Sequence, residues 1–208
     1  DNSIADEMDK PEIAEMCKRV SGLTLEVLQK YGSPFRDAYD SFFEVGLKCD
    51  YLLGHNLKAF DAPFLKAEAK KFGLDFLPEI PWIDTKVDID YPEAFTSKRL
   101  NHLLSEFKII NHTAHRAFAD ALAALQVFQQ YPFEEILAYM ADPWIVIKAS
   151  IDYDSREKAK QRRFSWQNID GHIYPLSWVK KIKLSRLDKE IASCNFPILR
   201  IEEKKDRV

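Results

Sequence analysis

Two short segments of the sequence carry side chains that can do chemistry. The segment GHNLKAFDAPFL contains His55, Asn56 and Asp61, and the segment HRAFADALAALQVF contains His115 and Asp120. Carboxylate oxygens are ligands for hard divalent cations, and an imidazole can exchange a proton near neutral pH. Whether these groups can act together depends on the elements that position them.

Asp120 stands out because it interrupts an apolar run. From Ala117 to Phe128 the sequence is almost wholly apolar, so we expect a helix that is buried on most of its circumference. A buried carboxylate is costly unless something pairs with it. Asp120 is therefore either a functional group or a buried acid bonded to backbone.

His115 and Asp120 do not have the spacing of a zinc site on one helix. Five residues place them about 140° apart around an ideal helix, whereas two zinc ligands on one face need a spacing of four. We expect His115 in the loop or first turn, with Asp120 pointing from the next turn toward the same cavity. A lone loop histidine could equally be an ordinary surface residue.

The first segment follows a predicted strand. The stretch CDYLLGHN indicates a short buried strand that ends at Gly54, and His55, Asn56 and Asp61 come directly after it. The carboxyl ends of strands in α/β sheets present ligand-binding groups. Asp61 also lies near the start of the next predicted helix, where capping the helix would explain it equally well.

Predicted strands alternate with helices along most of the chain, which favours an α/β fold with a partly parallel sheet. Pro143 stops a helix at a point where the charge balance changes. We therefore predict an α/β domain at residues 1–143 and a small α+β module at residues 144–208. The module is expected to contain a hairpin that turns at Asp170 and Gly171.

Composition indicates a globular chain without a membrane segment. The 208 residues are 46% hydrophobic, and the N-terminus is acidic where a secretory signal would be basic and then apolar. No apolar run approaches the roughly 20 residues that a membrane-spanning helix needs. We expect a cytoplasmic protein, and its three widely spaced cysteines indicate neither a disulfide framework nor a zinc site.

The net charge of −3 conceals an asymmetry between the two parts. Residues 144–208 contain 15 Lys and Arg against 9 Asp and Glu, which is a net charge of +6 and leaves −9 for the remainder. Basic side chains alternating with aromatic ones could hold phosphates and stack on bases. The aromatics could instead be core and the charges solvated helix faces. The residues concerned are Arg162, Arg163, Phe164, Trp166, Tyr174, Trp178, Lys180 and Lys181.

The two segments, with WIDT between them, together resemble motifs of the DEDD exonucleases, the proofreading-type 3′ to 5′ exonucleases of ribonuclease H-like fold. In that family the pattern is roughly [A/G]HNxxFDxxFL, then a DT pair, then HxAxxDAxA. The five-residue spacing from His115 to Asp120 resembles the DEDDh subfamily, and the resemblance covers about residues 11–131. The matching residues are Gly54, His55, Asn56, Phe60, Asp61, Phe64, Leu65, Asp84, Thr85, His115, Ala117, Asp120, Ala121 and Ala123.

The resemblance implies a ribonuclease H-like mixed sheet and hydrolysis of phosphodiester bonds at single-stranded DNA or RNA 3′ ends. It implies that Asp61 and Asp120 bind two Mg²⁺ or Mn²⁺ ions and that His115 takes a proton from the attacking water. His55, Asn56 and Phe60 would lie beside the terminal nucleotide, although Phe60 could equally be core. A polymerase partner or a homodimer would be compatible with this family.

One family motif does not occur at its expected place. Members begin with a strand carrying Asp-x-Glu, whose two carboxylates complete the metal site, but Asp6 and Glu7 are adjacent and lie in a polar segment. We expect this sequence to begin inside a longer protein. The alternatives are a catalytically inactive, nucleic-acid-binding or scaffold relative, and a protein-interaction domain whose carboxylates only cap helices.

Overall fold

The computed structural model describes residues 11–76, 80–111, 115–167 and 176–201. The chain divides into two compact units, Asp1–Tyr139 and Met140–Val208. Asp6 and Glu7 lie outside the described residues, as do Tyr174 and the expected hairpin turn at Asp170 and Gly171.

The first unit contains seven helices and two strands among its described residues. Its elements, in chain order, are α1 (Pro11–Ser21), α2 (Leu25–Tyr31), α3 (Phe35–Gly46), β1 (Leu52–Gly54), α4 (Asp61–Lys71), β2 (Trp82–Asp84), α5 (Leu100–Glu106), α6 (Ala117–Phe128) and α7 (Phe133–Ala141).

The two short strands β1 and β2 pair in parallel, with Leu52 opposite Trp82 and Gly54 opposite Asp84. Parallel strands need a crossover connection, and α4 lies within the chain that joins them. The sequence-based expectation of an α/β fold with a parallel sheet is therefore confirmed. Both strands end at the same edge, so the residues that follow Gly54 and Asp84 start from neighbouring positions.

Helix α6 is less buried than its composition predicts. Ala123, Ala124 and Val127 are buried, but Phe118 is 76% exposed and Leu122 is 45% exposed. The expectation of burial on most of the circumference is wrong for the described chain, because α5 and β1 pack against the helix and cover a single stripe of it. Asp120 is itself only half-buried.

The second unit is a small α+β fold. Its four strands form one sheet in the order β4, β5, β3, β6, and every neighbouring pair is antiparallel. Its elements after the end of α7 are β3 (Trp144–Ala149), α8 (Arg156–Gln161), β4 (Ser165–Gln167), β5 (Ser177–Lys183), a 3₁₀ turn (Leu184–Arg186), α9 (Leu187–Ser193) and β6 (Ile198–Ile201).

One face of this sheet builds a core. Alternate residues of β3, namely Ile145, Ile147 and Ala149, pack with Ala159 of α8 and with Ile182 of β5. Such alternation is what a strand produces when one face is buried and the other is not. Each fully buried aliphatic side chain contributes about 1.5 to 3 kcal/mol to the stability of such a core.

The core and its ion pairs engage several residues that the sequence suggested for nucleic-acid contact. Phe164 is 4% exposed and belongs to the core, and Trp178 packs against that core. Arg162 and Lys180 both pair with Glu190, at 3.1 and 2.8 Å. Their types fit nucleic-acid binding, but their side chains are occupied within the fold.

The other residues of that set are differently placed. Arg163 is exposed, and Trp166 is 52% exposed with its ring 5.4 Å from that of Trp178. The Lys181 ammonium lies over the Trp144 ring, 5.7 Å from its centroid. Some cationic and aromatic side chains therefore remain at the surface of this unit, although they are fewer than the sequence suggests. Trp166 pairs with Trp178 across the sheet and shares its face, whereas Lys181 lies on the opposite face.

No described helix is both long and apolar enough to cross a membrane.

Two ion pairs of the second unit share Glu190, so we expect the loss of this carboxylate to be destabilising. Burial raises the pKa of Glu190, but the hydrogen bonds and charges of Lys180 and Arg162 outweigh burial and hold this pKa below its usual value. Glu190→Gln should lower the free energy of unfolding by about 1.5 to 3 kcal/mol at pH 7, because two charged donors lose their anionic acceptor. Urea denaturation measures this change.

Glu157 supplies the matched control. It pairs with Lys160 at 2.7 Å, but its side chain is 63% exposed. Glu157→Gln should leave the denaturation midpoint close to that of the wild type, because water screens an exposed pair. Equal losses in the two variants would contradict the role given to Glu190.

Candidate active site

The site is a cavity of about 1020 Å³ in the first unit, at the edge where β1 and β2 end. Its wall combines the ends of several elements with the start of α4 and one side of α6. The lining residues are Leu53, Gly54, His55, Asn56, Leu57, Phe60, Asp61, Ser97, Arg99, Leu100, Asn101, His102, His115, Ala117, Asp120 and Ala121.

All six sequence-predicted site residues line this one cavity: His55, Asn56, Phe60, Asp61, His115 and Asp120. The first and the last of them, His55 and Asp120, are 65 positions apart in the sequence, so only the tertiary fold brings them together.

Asp61 is the first residue of α4, and the residue that caps this helix is Phe60, whose side chain makes no capping hydrogen bond. Burial in the cavity wall raises the pKa of Asp61, and the Asp84 carboxylate raises it further, while a hydrogen bond to the Asp61 backbone opposes both. Asp61 is therefore not the N-cap residue of α4, the alternative that its position in the sequence left open.

Asp120 lies in the first turn of α6, and its Oδ1 accepts a hydrogen bond from Asn111 Nδ2 at 3.2 Å. A side-chain amide thus satisfies part of this carboxylate. Because Asp120 is half-buried, its remaining lone pairs are accessible from the cavity.

His115 lies in the turn that precedes α6, with a left-handed backbone at φ 68°. Few residues adopt this conformation without cost, and such outliers are common at functional sites. The side chain is exposed at the cavity. A solvent-accessible imidazole in this position can reach a water molecule or a ligand.

Phe60 is 64% exposed, so the alternative that it belongs to the core is wrong. Its ring stacks on that of Phe64, with an interplanar angle of 8° and 6.4 Å between the centroids. The pair presents an aromatic surface at the cavity wall.

The residues of the GHN turn, 54–58, are held in place by the end of β2. The Asp84 carboxylate is 1% exposed and accepts backbone N–H groups from Asn56 at 2.8 Å and Lys58 at 3.0 Å. It also accepts the backbone N–H of Lys86, at 2.9 Å. Three backbone donors compensate the burial of this charge.

Asp88 reinforces the same arrangement. Its carboxylate accepts the backbone N–H of Asp84 at 2.7 Å and pairs with the Lys58 ammonium, also at 2.7 Å. The resemblance matched Asp84 and Thr85 to the DT pair of the family pattern without giving them a role, and Asp88 was not predicted at all. The structure shows that Asp84 organises the turn that lines the cavity.

The ring of His55 is engaged on both sides within the protein. Its Nδ1 lies 2.9 Å from Thr85 Oγ1, and the ring also hydrogen-bonds to the Lys98 backbone. Burial lowers the pKa of His55; the charge of Lys86 lowers it further, while Asp84, the Lys98 backbone and Asp120 oppose the effect. His55 therefore ties the end of β2 to the segment that leads into α5.

Sequence reasoning missed the wall formed by Ser97, Arg99, Asn101 and His102. The only signal for it was a polar and basic stretch, SKRLNH, before the buried Leu103 and Leu104 of α5. His102 pairs with Glu106 at 3.2 Å, whereas the Arg99 guanidinium makes no ion pair with any residue that the structure describes. A cation is thus present in a wall that otherwise carries two carboxylates.

The described residues supply only part of a metal site. Asp61 and Asp120 offer the oxygen ligands that Mg²⁺ and Mn²⁺ prefer, and both face the same cavity. Nowhere in residues 11–76, 80–111, 115–167 and 176–201 do three or more His, Cys, Asp or Glu side chains form a group that could hold a metal ion. A complete site would need further ligands in addition to these two carboxylates.

The lowered pKa of His55 predicts a pH-dependent stability. Between the folded pKa and the ordinary value of 6.5, the unfolded chain binds more protons than the folded one, so the free energy of unfolding decreases as the pH falls through this range. His55→Gln, which retains hydrogen-bonding groups but does not titrate, should give a flatter curve. Denaturation midpoints measured from pH 7.5 to 5 would test this, and parallel curves would contradict it.

Comparison with known proteins gives the family. The family model for RNase T-type exonucleases, described as Exonuclease, matches residues 3–128, which is more than half of the chain. No curated protein and no solved structure matches the chain. The matched region contains every residue that lines the cavity. The chain therefore belongs to the exonuclease family, within the DEDD superfamily, and its first unit is a nuclease domain.

Proposed function

We propose that this protein is a metal-dependent 3′ to 5′ exonuclease that hydrolyses phosphodiester bonds at single-stranded DNA or RNA 3′ ends. The observation that supports this best is the convergence of His115, Asp61 and Asp120 on one cavity. Family membership supplies the nuclease activity in general, and the cavity suggests where it takes place.

We assign His115 the role of general base in a DEDDh-type site. A base must reach the water whose proton it takes, and His115 is exposed in the turn beside Asp120. The water oxygen attacks the phosphorus atom while its proton passes to the imidazole, and the bond from phosphorus to the 3′ oxygen breaks. The products are a nucleoside 5′-monophosphate and a strand one nucleotide shorter.

Three residues of the wall suit a terminal nucleotide. The exposed Phe60 ring can stack on a base, a contact worth about 1 to 3 kcal/mol. Asn56 offers an amide to an acceptor on the nucleotide, and the Arg99 guanidinium can meet a phosphate. Because stacking does not depend on base identity, this arrangement favours a strand end of any sequence.

Asp61 and Asp120 are proposed as ligands of Mg²⁺ or Mn²⁺, with two ions in the complete site. Bound divalent ions would stabilise negative charge on the phosphate and on the leaving oxygen. The other ligands would have to come from beyond the described residues, since none of these completes the set.

The proposal also includes the cellular location, the fold and the partners of the enzyme. A cytoplasmic location, a ribonuclease H-like sheet and either a polymerase partner or a homodimer are all compatible with a proofreading-type nuclease. The net positive charge of residues 144–208 suits attraction of a polyanionic strand toward the acidic first unit.

A catalytically inactive relative that only binds nucleic acid is the second candidate. It is favoured by a single observation, that the described residues provide two carboxylate ligands and no third. Such a protein would bind single strands in the same cavity without shortening them.

Single strands labelled at either end distinguish the enzyme from the inactive relative. A 5′-labelled single strand incubated with the full protein and Mg²⁺ or Mn²⁺ should give a ladder of progressively shorter labelled products, whereas a 3′-labelled strand should release its label at once as a mononucleotide. EDTA should abolish both reactions. Binding without shortening would favour the inactive relative, and full activity in excess EDTA would exclude metal dependence.

Asp120→Asn tests the metal-binding assignment in that assay. The amide keeps the size of the side chain and an acceptor for Asn111, but a neutral ligand holds Mg²⁺ more weakly. We expect a large loss of rate with little change in the melting temperature. Unfolding of this variant would indicate a structural role for the carboxylate instead.

His115→Asn tests the general base without disturbing the backbone. Asparagine tolerates the left-handed conformation of this turn but cannot act as a base at neutral pH. We expect kcat to fall by about 10²- to 10⁴-fold, because the proton transfer occurs in the transition state, while KM changes little. A wild-type kcat would rule out this role for His115.

A further inference from the structure

The backbone of Asn56 is fixed in a conformation that few residues adopt. Its φ is 63°, and its N–H donates to Asp84 Oδ1 at 2.8 Å. Asparagine is one of the few side chains that enter this left-handed region readily. The carboxylate of Asp84 therefore fixes the position of the Asn56 backbone, from which the side chain extends.

The side chain of Asn56 is fixed separately, by Lys86. The Lys86 ammonium donates to Asn56 Oδ1 at 2.8 Å. An ammonium group has donors only, so the amide atom facing it must be the oxygen, and the orientation of the amide follows from chemistry alone. The NH₂ group of Asn56 remains, and no described residue accepts a hydrogen bond from it.

The same buried carboxylate positions both partners. Asp84 Oδ1 accepts the backbone N–H of Lys86 at 2.9 Å as well as that of Asn56. Lys86 and Asn56 are thus placed relative to each other by two hydrogen bonds to one atom. The third bond, from the ammonium to the amide oxygen, then sets the orientation of the amide.

The neighbouring polar side chain of the turn does not offer a comparable donor. The ring of His55 is already engaged by Thr85 and by the Lys98 backbone. Within the GHN turn, the Asn56 amide is therefore the polar side chain with donors to spare at the cavity.

We propose that Lys86 is a positioning residue for substrate recognition. By holding the Asn56 oxygen, it presents the Asn56 NH₂ group to the cavity and selects an acceptor oxygen on the terminal nucleotide, whether on its phosphate or on its base. The positive charge of the ammonium also polarises the amide and strengthens this donor. The inference rests on the proposed function, since it assumes that the cavity receives a nucleotide end.

Binding of a 5′-fluorescein single strand to the full protein, followed by anisotropy with EDTA present, tests this independently of hydrolysis. Lys86→Met should weaken binding by about two- to tenfold, the value of one hydrogen bond. Lys86→Arg, which can still donate to the amide oxygen, should restore most of the affinity. In the hydrolysis assay Lys86→Met should raise KM with little change in kcat.

Two variants at position 56 separate positioning from a general structural effect. Asn56→Ala should weaken binding as much as Lys86→Met, and the double variant should be no weaker than either alone. Asn56→Asp keeps an oxygen for Lys86 but removes the NH₂ group, so it should weaken binding although the contact with Lys86 survives. The melting temperature of each variant identifies any loss of fold.

The outcomes that overturn the inference are distinct from failure of the proposed function. Additive losses in the double variant, or wild-type binding by Asn56→Asp, would show that Lys86 does not act through Asn56. Absence of any hydrolysis by the wild type would reject the enzyme but leave the binding comparison valid. A strand with an abasic terminal nucleotide identifies the acceptor: loss of the Lys86→Met effect assigns it to the base, and persistence assigns it to the phosphate or sugar.

Discussion

The carboxylate of Asp84 is the constraint on which the rest of the site depends. It is buried at the end of β2 and accepts backbone N–H groups from Asn56, Lys58 and Lys86. A buried charge left without these donors would be strongly destabilising, so the loops after both strands must close around it. Because the strands are parallel and end at one edge, one side chain can organise both loops. The GHN turn is thus specified by a residue nearly thirty positions further along the chain.

This constraint fixes one wall of the cavity, while the ionisable side chains proposed for catalysis lie on the others. The GHN turn is fixed by hydrogen bonds, whereas Asp61, Asp120 and His115 stand at the cavity with few partners among the described residues. Two carboxylates in one cavity weaken the binding of a phosphate, and bound cations would offset this repulsion. That is the physical reason to expect divalent ions in this nuclease, and the Arg99 guanidinium reduces the repulsion only in part.

In the second unit, several residues that the sequence suggested for nucleic-acid contact are occupied by core packing or by ion pairs. From the sequence, Arg162 and Lys180 were candidates for binding phosphate, but both form ion pairs with Glu190. Phe164 belongs to the hydrophobic core. A unit of this size has few side chains from which to build an interior, so its aromatic residues are needed for packing. What remains for a partner is a few exposed side chains, with Trp166 on one face of the sheet and Lys181 on the other.

The sequence by itself determined the residue types of the site, the α/β alternation and the family, because motif spacing and hydrophobic periodicity are local properties of the chain. It could not decide whether Asp61 caps its helix, how exposed Phe60 and α6 are, or what holds the GHN turn. Those depend on contacts between distant segments, such as the bond from Lys86 to Asn56. Only the tertiary structure decided them, because burial and hydrogen-bond partners exist once the parallel strands have brought both loops to one edge.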